Sequence, residues 1–218
     1  MGDISDYKKK GKLRREYQGS LLRQNNMAEN PVDQFSAWFD EALNDDLTDA
    51  NAMALATATQ DGRPSVRIVL LKGFGEEGFR FYTNYRGRKA AELDENPQAA
   101  LCFYWAELNR QIRVEGSVKK ATAANSAEYF SARPRNSQLS AWASRQSAVM
   151  TNRKELEDDF EQAKQKFENR EVPRPDYWGG YILEPSSIEF WQGRPGRLHD
   201  RIKYTKTNGG WKTERLAP

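Results

Sequence analysis

One cysteine and one histidine among 218 residues leave little room for metal chemistry. A single Cys excludes an internal disulfide and every multi-cysteine zinc or iron–sulfur site, and a single His excludes multi-histidine centres, so no metal site is expected. Long apolar runs are missing as well. The longest, Ala99 to Ala106, has eight residues against the roughly 20 of a membrane span. The N-terminal MGDISDYKKKGK lacks the apolar segment of a secretory signal, and Asp6 stands where a myristoylation pattern wants Ser or Thr. A cytoplasmic protein of a reducing compartment, with no membrane partner, is the expectation.

Apolar residues are scarce too, at 38% with a mean hydropathy of −0.91 and 30% charged residues. Counting Gly and leaving Tyr out raises the share only to about 41%, below the roughly 45–50% of globular chains. A chain this polar is eased by burying surface against a second copy, which points to an oligomer. The net charge of +3 is uneven. Residues 1–23 carry seven cations against Asp3, Asp6 and Glu16, whereas the remainder carries 27 basic and 28 acidic groups. A basic arm on a neutral body argues against a general nucleic-acid surface, and any anion must be held by local clusters.

Residues 1–30 are polar and aperiodic, which predicts a mobile basic arm, and residues 31–218 are expected to form one domain. Asn30-Pro31 is an N-cap followed by proline at the first helical position, opening an amphipathic helix to about Asn44. Strands are predicted at Met53–Thr59 and Ser65–Lys72, joined by Asp61-Gly62, then at Phe79–Thr83, Ala99–Trp105 and Gln111–Val118. A short helix spans Arg88–Glu95, and two or three helices lie between Thr122 and Glu168, interrupted by Pro134. Strands return at Gly180–Leu183, Ser187–Gln192, Leu198–Thr205 and Trp211–Arg215. Tight turns between strands and helices grouped in blocks predict a mainly β fold, an antiparallel barrel with flanking helices.

Four clusters carry chemistry. Near the C-terminus, Trp191 and a glycine-bearing turn precede Arg197-Leu198-His199-Asp200-Arg201. On a strand, Arg197, His199 and Arg201 would share a face, two guanidiniums flanking an imidazole as for an anionic planar ligand. Neighbours on a strand face opposite ways, so His199 and Asp200 cannot serve one triad. Arg67 and Lys72 bracket an apolar strand with opposite parity, which suits two ligands or two parts of one. Phe81-Tyr82-Thr83-Asn84 leads to Gly87-Arg88-Lys89 at a helix start, where free N–H groups and two cations can seat a phosphate. Tyr129, Arg133 and Ser137 flank Pro134, with Ser137 read as the N-cap of the next helix. Gln111, Gln146 and Ser147 are polar residues near element ends. Cys102 reads as a buried apolar thiol. Many phosphate-seeking cations, one His and no evident nucleophile suit an enzyme whose cofactor performs the difficult chemistry.

Together these segments resemble the pyridoxine/pyridoxamine 5′-phosphate oxidases, FMN-dependent enzymes with a split β-barrel. The resemblance runs from Arg14-Arg15-Glu16-Tyr17 through RIVLLK (67–72), FYTN (81–84), GRKA (87–90), RQIRVEG (110–116), YFSARPRNSQ (129–138), PDYWGGY (175–181), IEFWQG (188–193) and RLHDR (197–201) to the terminal RLAP. It implies FMN at the interface of a homodimer. Arg67, Ile68, Val69, Leu70, Leu71, Lys72, Tyr82, Thr83, Arg88 and Lys89, with Gln111, Gln146, Ser147, Trp191 and Arg201, match flavin-binding positions. Lys72, Tyr129, Arg133 and Ser137 match a substrate-phosphate site. Arg197, Leu198 and His199 match residues at the pyridine ring, Arg197 and His199 in the catalytic role, and Arg14, Arg15, Glu16 and Tyr17 match an arm closing over substrate. Gly87 departs from the Ser expected beside the Arg-Lys pair, leaving only the backbone N–H there. The implied reaction oxidises C4′ of pyridoxine or pyridoxamine 5′-phosphate to pyridoxal 5′-phosphate, with hydride passing to flavin N5 and O₂ reduced to hydrogen peroxide. A split-barrel reductase of another substrate and a non-catalytic flavin-binding protein are the rival readings.

Overall fold

A computed structural model describes residues 16–218, so Arg14 and Arg15 lie outside the described residues. The helices are α1 (Pro31–Asn44), α2 (Arg88–Glu95), α3 (Ala123–Ser131), α4 (Arg135–Ala143) and α5 (Arg153–Lys166). The strands are β1 (Ala52–Ala58), β2 (Pro64–Leu70), β3 (Gly73–Gly75), β4 (Gly78–Asn84), β5 (Gln98–Trp105), β6 (Arg110–Lys120), β7 (Trp178–Gln192), β8 (Asp200–Thr207) and β9 (Gly210–Leu216). They form one sheet in the order β2-β1-β5-β6-β7-β4-β3, with β8 pairing to β7 and β9. The β1–β2, β1–β5, β3–β4, β4–β7 and β8–β9 pairs are antiparallel. The chain is mainly β with flanking helices, as the turn pattern predicts.

Two compact units divide the chain. The first comprises residues up to Ala50 with Tyr104–Ile112 and Ile188–Pro218. Its helix α1 begins where Asn30 Oδ1 accepts from Val32 N at 2.9 Å and Pro31 occupies the first turn. The helix buries Phe35 and Trp38, and Trp38 meets Phe190 edge-on at 5.2 Å between ring centres. Arg110 lies over the Trp38 ring at 4.3 Å and pairs with Glu41 at 2.6 Å, so the aliphatic and charged parts of one side chain both serve the helix. Tyr204 is fully buried and donates to the Ala28 carbonyl at 2.7 Å.

The second unit comprises Asn51–Phe103 and Arg113–Ser187. Alternation along β1 turns Met53, Leu55 and Thr57 inward, against Phe79, Phe81, Leu101 and Phe103, all buried. On β2 the alternation is inverted. Val66, Ile68 and Leu70 are exposed, while Ser65 and Arg67 face the other way, opposite Thr57 and Leu55 of β1. Helices α3 to α5 bury their own cluster of Phe130, Leu139, Ala141, Ala143, Ala163, Phe167, Val172 and Trp178.

Four expectations need correction. The predicted strands Gly180–Leu183 and Ser187–Gln192 are one 15-residue strand, β7, which Pro185 does not interrupt. Strand β8 begins at Asp200, not Leu198, because Gly196 and Arg197 both take positive φ (63° and 64°) in a 3-10 turn. Alternation therefore cannot place Arg197 and His199 on a face with Arg201. Ser137 is not an N-cap: α4 starts at Arg135 behind Pro134, and Ser137 N donates to the Pro134 carbonyl at 2.8 Å within the first turn. Cys102 is only partly buried.

Gly78 holds the start of β4 at φ 116°, and a Cβ there would lie 2.0 Å from the Leu183 carbonyl oxygen. Gly78→Ala is expected to destabilise the protein by about 2 kcal/mol in urea unfolding. A change below about 0.5 kcal/mol would show that the strand yields freely.

Candidate functional site

In the second unit, a buried carboxylate organises a set of cations. Glu92 of α2 is 3% exposed. Its Oε2 accepts from Thr57 Oγ1 at 2.5 Å, Ser65 Oγ at 2.6 Å and Arg67 Nη2 at 3.2 Å, and its Oε1 accepts from Arg88 Nε at 2.8 Å. Burial opposes ionisation, but hydrogen bonds from Ser65, Thr57, Arg88 and Arg67 outweigh it and hold the Glu92 pKa down at about 2. The Arg67 guanidinium also donates from Nη1 to Thr57 Oγ1 at 2.5 Å and to the Leu55 carbonyl at 3.2 Å, and from Nη2 to Ser65 Oγ.

The N-terminus of α2 adjoins this network. Gly87 is its N-cap and offers no side chain to the helix amides. Arg88 N donates to Ser147 Oγ at 3.2 Å, and Ser147 itself sits at φ 70°. Lys89 Nζ donates to Gln146 Oε1 at 2.7 Å and to Thr83 Oγ1 at 3.0 Å. Burial, followed by the charge of Arg67, pulls the Lys89 pKa down.

A cavity of about 660 Å³ opens on these groups. Its lining brings together Arg67, Ile68, Val69, Leu70, Lys72, Tyr82, Thr83, Lys89, Tyr129, Arg133, Ser137 and Gln146. The opposite parity of Arg67 and Lys72 is accommodated because β2 ends at Leu70 and Lys72 N turns to the Arg80 carbonyl at 2.8 Å. One wall is an aromatic stack, with Tyr82 4.0 Å from Tyr129 and 5.5 Å from Trp178 between ring centres and the ring planes nearly parallel. Arg133 lies over Trp178 at 4.5 Å. Its Nη1 is buried without a hydrogen-bond partner, and desolvation disfavours its charge. Arg133 thus lines the cavity with one guanidinium nitrogen buried and unpaired behind it. Leu71 is buried beneath this lining. Arg88 and Ser147 line a neighbouring cavity of about 390 Å³ with Arg86, Arg145 and Tyr177.

In the first unit, Tyr17 meets Trp191 edge-on at 5.4 Å and His199 at 5.2 Å. The Arg194 backbone N–H donates to His199 Nδ1 at 3.0 Å, so the neutral imidazole carries its proton on Nε2. Burial and then the charge of Arg197 lower the His199 pKa. Arg201 grips Glu189 through two bonds of 2.8 and 3.0 Å, which raises the Arg201 pKa. Glu16 and Leu198 are exposed, the latter at 74%, and Gln111 is half-buried on β6. Sequence reasoning missed Glu92 and Trp178. The available signals were the i, i+4 pairing of Arg88 with Glu92 and the Trp of PDYWGGY.

The family model described as "Pyridoxamine 5'-phosphate oxidase" matches residues 39–167, and that described as "Pyridoxine 5'-phosphate oxidase C-terminal dimerisation region" matches residues 178–218. A pyridoxine/pyridoxamine 5′-phosphate oxidase of Rubrobacter xylanophilus is 54% identical over 206 residues, covering 94% of this chain and 95% of that protein. One of Salinibacter ruber is 51% identical over 209 residues, covering 94% and 97%. The crystal structure of PhzG from Burkholderia lata 383, in complex with tetrahydrophenazine-1-carboxylic acid, matches with a TM-score of 0.86 at 29% identity, covering 92% of this chain and 99% of that one. A pyridoxamine 5′-phosphate oxidase-related, FMN-binding protein of Nostoc punctiforme matches with a TM-score of 0.68 at 20% identity over 88% and 100%, which bears on fold alone. The fold is thus the antiparallel split barrel that the resemblance implies. Among the described residues no helix is long and apolar enough to cross a membrane, and no cluster of metal-ligating side chains occurs.

The buried Arg133 nitrogen has no hydrogen-bond partner, which costs the protein stability. Arg133→Met is expected to leave the ligand-free stability within about 1 kcal/mol of the parent, the lost stacking on Trp178 offset by relief of the unsatisfied donor. A loss above about 2 kcal/mol in denaturant titration would make Arg133 a structural residue.

Proposed function

The chain belongs to the pyridoxine/pyridoxamine 5′-phosphate oxidase family, and from that premise we propose that it is an FMN-dependent oxidase converting pyridoxine and pyridoxamine 5′-phosphates to pyridoxal 5′-phosphate. The observation that carries the proposal is that two sets of cations able to seat an anion, Arg67 with Lys89 and Lys72 with Arg133, line one cavity. A flavin nucleotide and a phosphorylated substrate need two such seats.

The donor set fits FMN. Arg67, Arg88 and Lys89 supply cations, the start of α2 supplies the positive end of its dipole, and Thr83, Gln146 and Ser147 supply neutral polar contacts. Ile68, Val69, Leu70 and Leu71, with Lys72 and Tyr82, are assigned to the flavin body, as are Gln111, Trp191 and Arg201. When bound, FMN supplies the redox chemistry, accepting a hydride equivalent from C4′ of the substrate and delivering two electrons to O₂, which leaves as hydrogen peroxide.

The protein's own contribution is orientation. Lys72, Tyr129, Arg133 and Ser137 are assigned to the substrate phosphate. The Tyr82–Tyr129–Trp178 stack fixes the Tyr129 ring and backs Arg133, so both donors are set before the ligand arrives. Arg197 and His199 are assigned to the pyridine ring. Because Arg194 N–H occupies Nδ1, His199 offers an Nε2–H donor to the ring's polar substituents, and its lowered pKa keeps it neutral at pH 7. Residues 14–17 are assigned to covering the substrate, and Tyr17 rests against His199. The match to a C-terminal dimerisation region points to a homodimer, and the exposed Val66, Ile68 and Leu70 offer apolar surface for it to cover. We place FMN at that dimer interface and the enzyme in the cytoplasm.

The purified protein is expected to be yellow or to become so with FMN, and to form aldehyde and peroxide from pyridoxine 5′-phosphate in air. A protein that cannot be reconstituted with FMN refutes the proposal. Arg197→Ala is expected to lower kcat/KM by about 10²-fold for both substrates, and unchanged turnover would remove it from the site. The pH profile follows from His199. Its pKa in the folded protein lies below the ordinary 6.5, so the neutral donor persists as pH falls through that value and is lost only on further acidification. The acid limb of kcat/KM assigned to His199 should vanish in His199→Asn, leaving that of the substrate phosphate.

A further inference from the structure

Glu92 lines neither cavity, yet it is bonded to two of the cations assigned to the cofactor phosphate. We infer that Glu92 is a positioning residue for that phosphate, aiming Arg67 and Arg88 through the two oxygens of one buried carboxylate. The inference rests on the assignment of this seat to FMN.

The geometry divides the carboxylate cleanly. Oε1 takes Nε of Arg88, and Oε2 takes Nη2 of Arg67 together with the hydroxyls of Thr57 and Ser65. Only Nε of Arg88 is engaged by Glu92, so the ion pair orients that guanidinium without consuming its terminal nitrogens. Arg67 is held from both sides, by Glu92 and by the Leu55 carbonyl and Thr57 hydroxyl of the neighbouring strand. Four contacts on a side chain 3% exposed make the carboxylate rigid, and the strand pairing of Thr57 with Ser65 sets where it sits.

Charge supports the same role. Arg67, Arg88 and Lys89 against Glu92 leave two net positive charges, which complement a phosphate monoester carrying about −1.5 to −2 at pH 7. Against the cost of burial, hydrogen bonds from Ser65, Thr57, Arg88 and Arg67 hold the Glu92 carboxyl pKa at about 2, so it is ionised near neutral pH. A purely structural Glu92 would support the hydrophobic face of α2 without regard to the ligand's phosphate.

The test uses the full-length protein freed of flavin, titrated with FMN and with riboflavin, which lacks the phosphate, and followed by quenching of flavin fluorescence. Glu92→Gln is expected to weaken FMN at least about 10-fold and to leave riboflavin within about twofold. Glu92→Asp, which restores the charge, should recover part of the loss. Equal weakening of both flavins, or FMN binding unchanged or tighter in Glu92→Gln, overturns the inference. Should Glu92→Gln not fold, Ser65→Ala keeps the carboxylate and removes one of its donors. It should weaken FMN by about two- to fivefold with riboflavin unaffected, and parity with the wild type overturns the inference. A wild-type protein that binds FMN no better than riboflavin overturns the assignment of the seat itself, a result distinct from a wild type that discriminates and a variant that does so equally well.

Discussion

A single buried negative charge makes the cationic seat possible. Arg67 and Lys89 are close enough that the charge of one lowers the pKa of the other, and both are partly desolvated. Cations drawn together in this way repel unless an anion lies among them. Glu92 is that anion, and its own burial is tolerable because four donors converge on it. The same demand shapes the local strand chemistry. Thr57 and Ser65 stand opposite each other on β1 and β2, where an aliphatic pair would otherwise fill a core-facing position. The inversion of β2 follows, with its hydrophobic side chains exposed and its polar ones turned inward.

The second anion seat solves the same problem by different means. Arg133 has no carboxylate beside it and leans on aromatic faces, Trp178 at 4.5 Å and Phe130 at 5.6 Å. A ring face stabilises a guanidinium weakly and without saturating its N–H groups, so the donors stay available to a ligand. One group of cations is therefore compensated by a carboxylate, while the other rests on aromatic faces.

Much of this was legible in the sequence. Helix α1 and the β1–β2 hairpin follow from Asn30-Pro31 and Asp61-Gly62, each a local signal with a local cause. What escaped depends on contacts far along the chain. Glu92 looked like one acid among 31 because its partners Thr57, Ser65 and Arg67 reach it only after β1 and β2 pair. The alternation assumed for Arg197, His199 and Arg201 failed at a turn that only a positive φ at a non-glycine residue reveals. Ser137 was displaced from the cap because proline itself can precede a first helical turn. In each case the residue types were right and the backbone between them was not.

Gly87 shows how local packing can explain a departure that residue identity alone leaves open. A Cβ at this position would lie 2.6 Å from Gln146 Oε1, the oxygen that receives both Lys89 and Thr83. A side chain there would require the Gln146 amide, the acceptor for Lys89, to shift. The hydroxyl that a serine would bring is not lost to the site, since Ser147 Oγ already sits 3.2 Å from the Arg88 N–H at the same helix start. Glycine at 87, glutamine at 146 and serine at 147 thus form one packing arrangement in which Ser147 Oγ, not a side chain at 87, accepts from the first amide of α2. At the start of α2, Arg88 N donates to Ser147 Oγ and Ala90 N to the Gly87 carbonyl, so this helix end attracts an anion through its dipole and its cations more than through open amides.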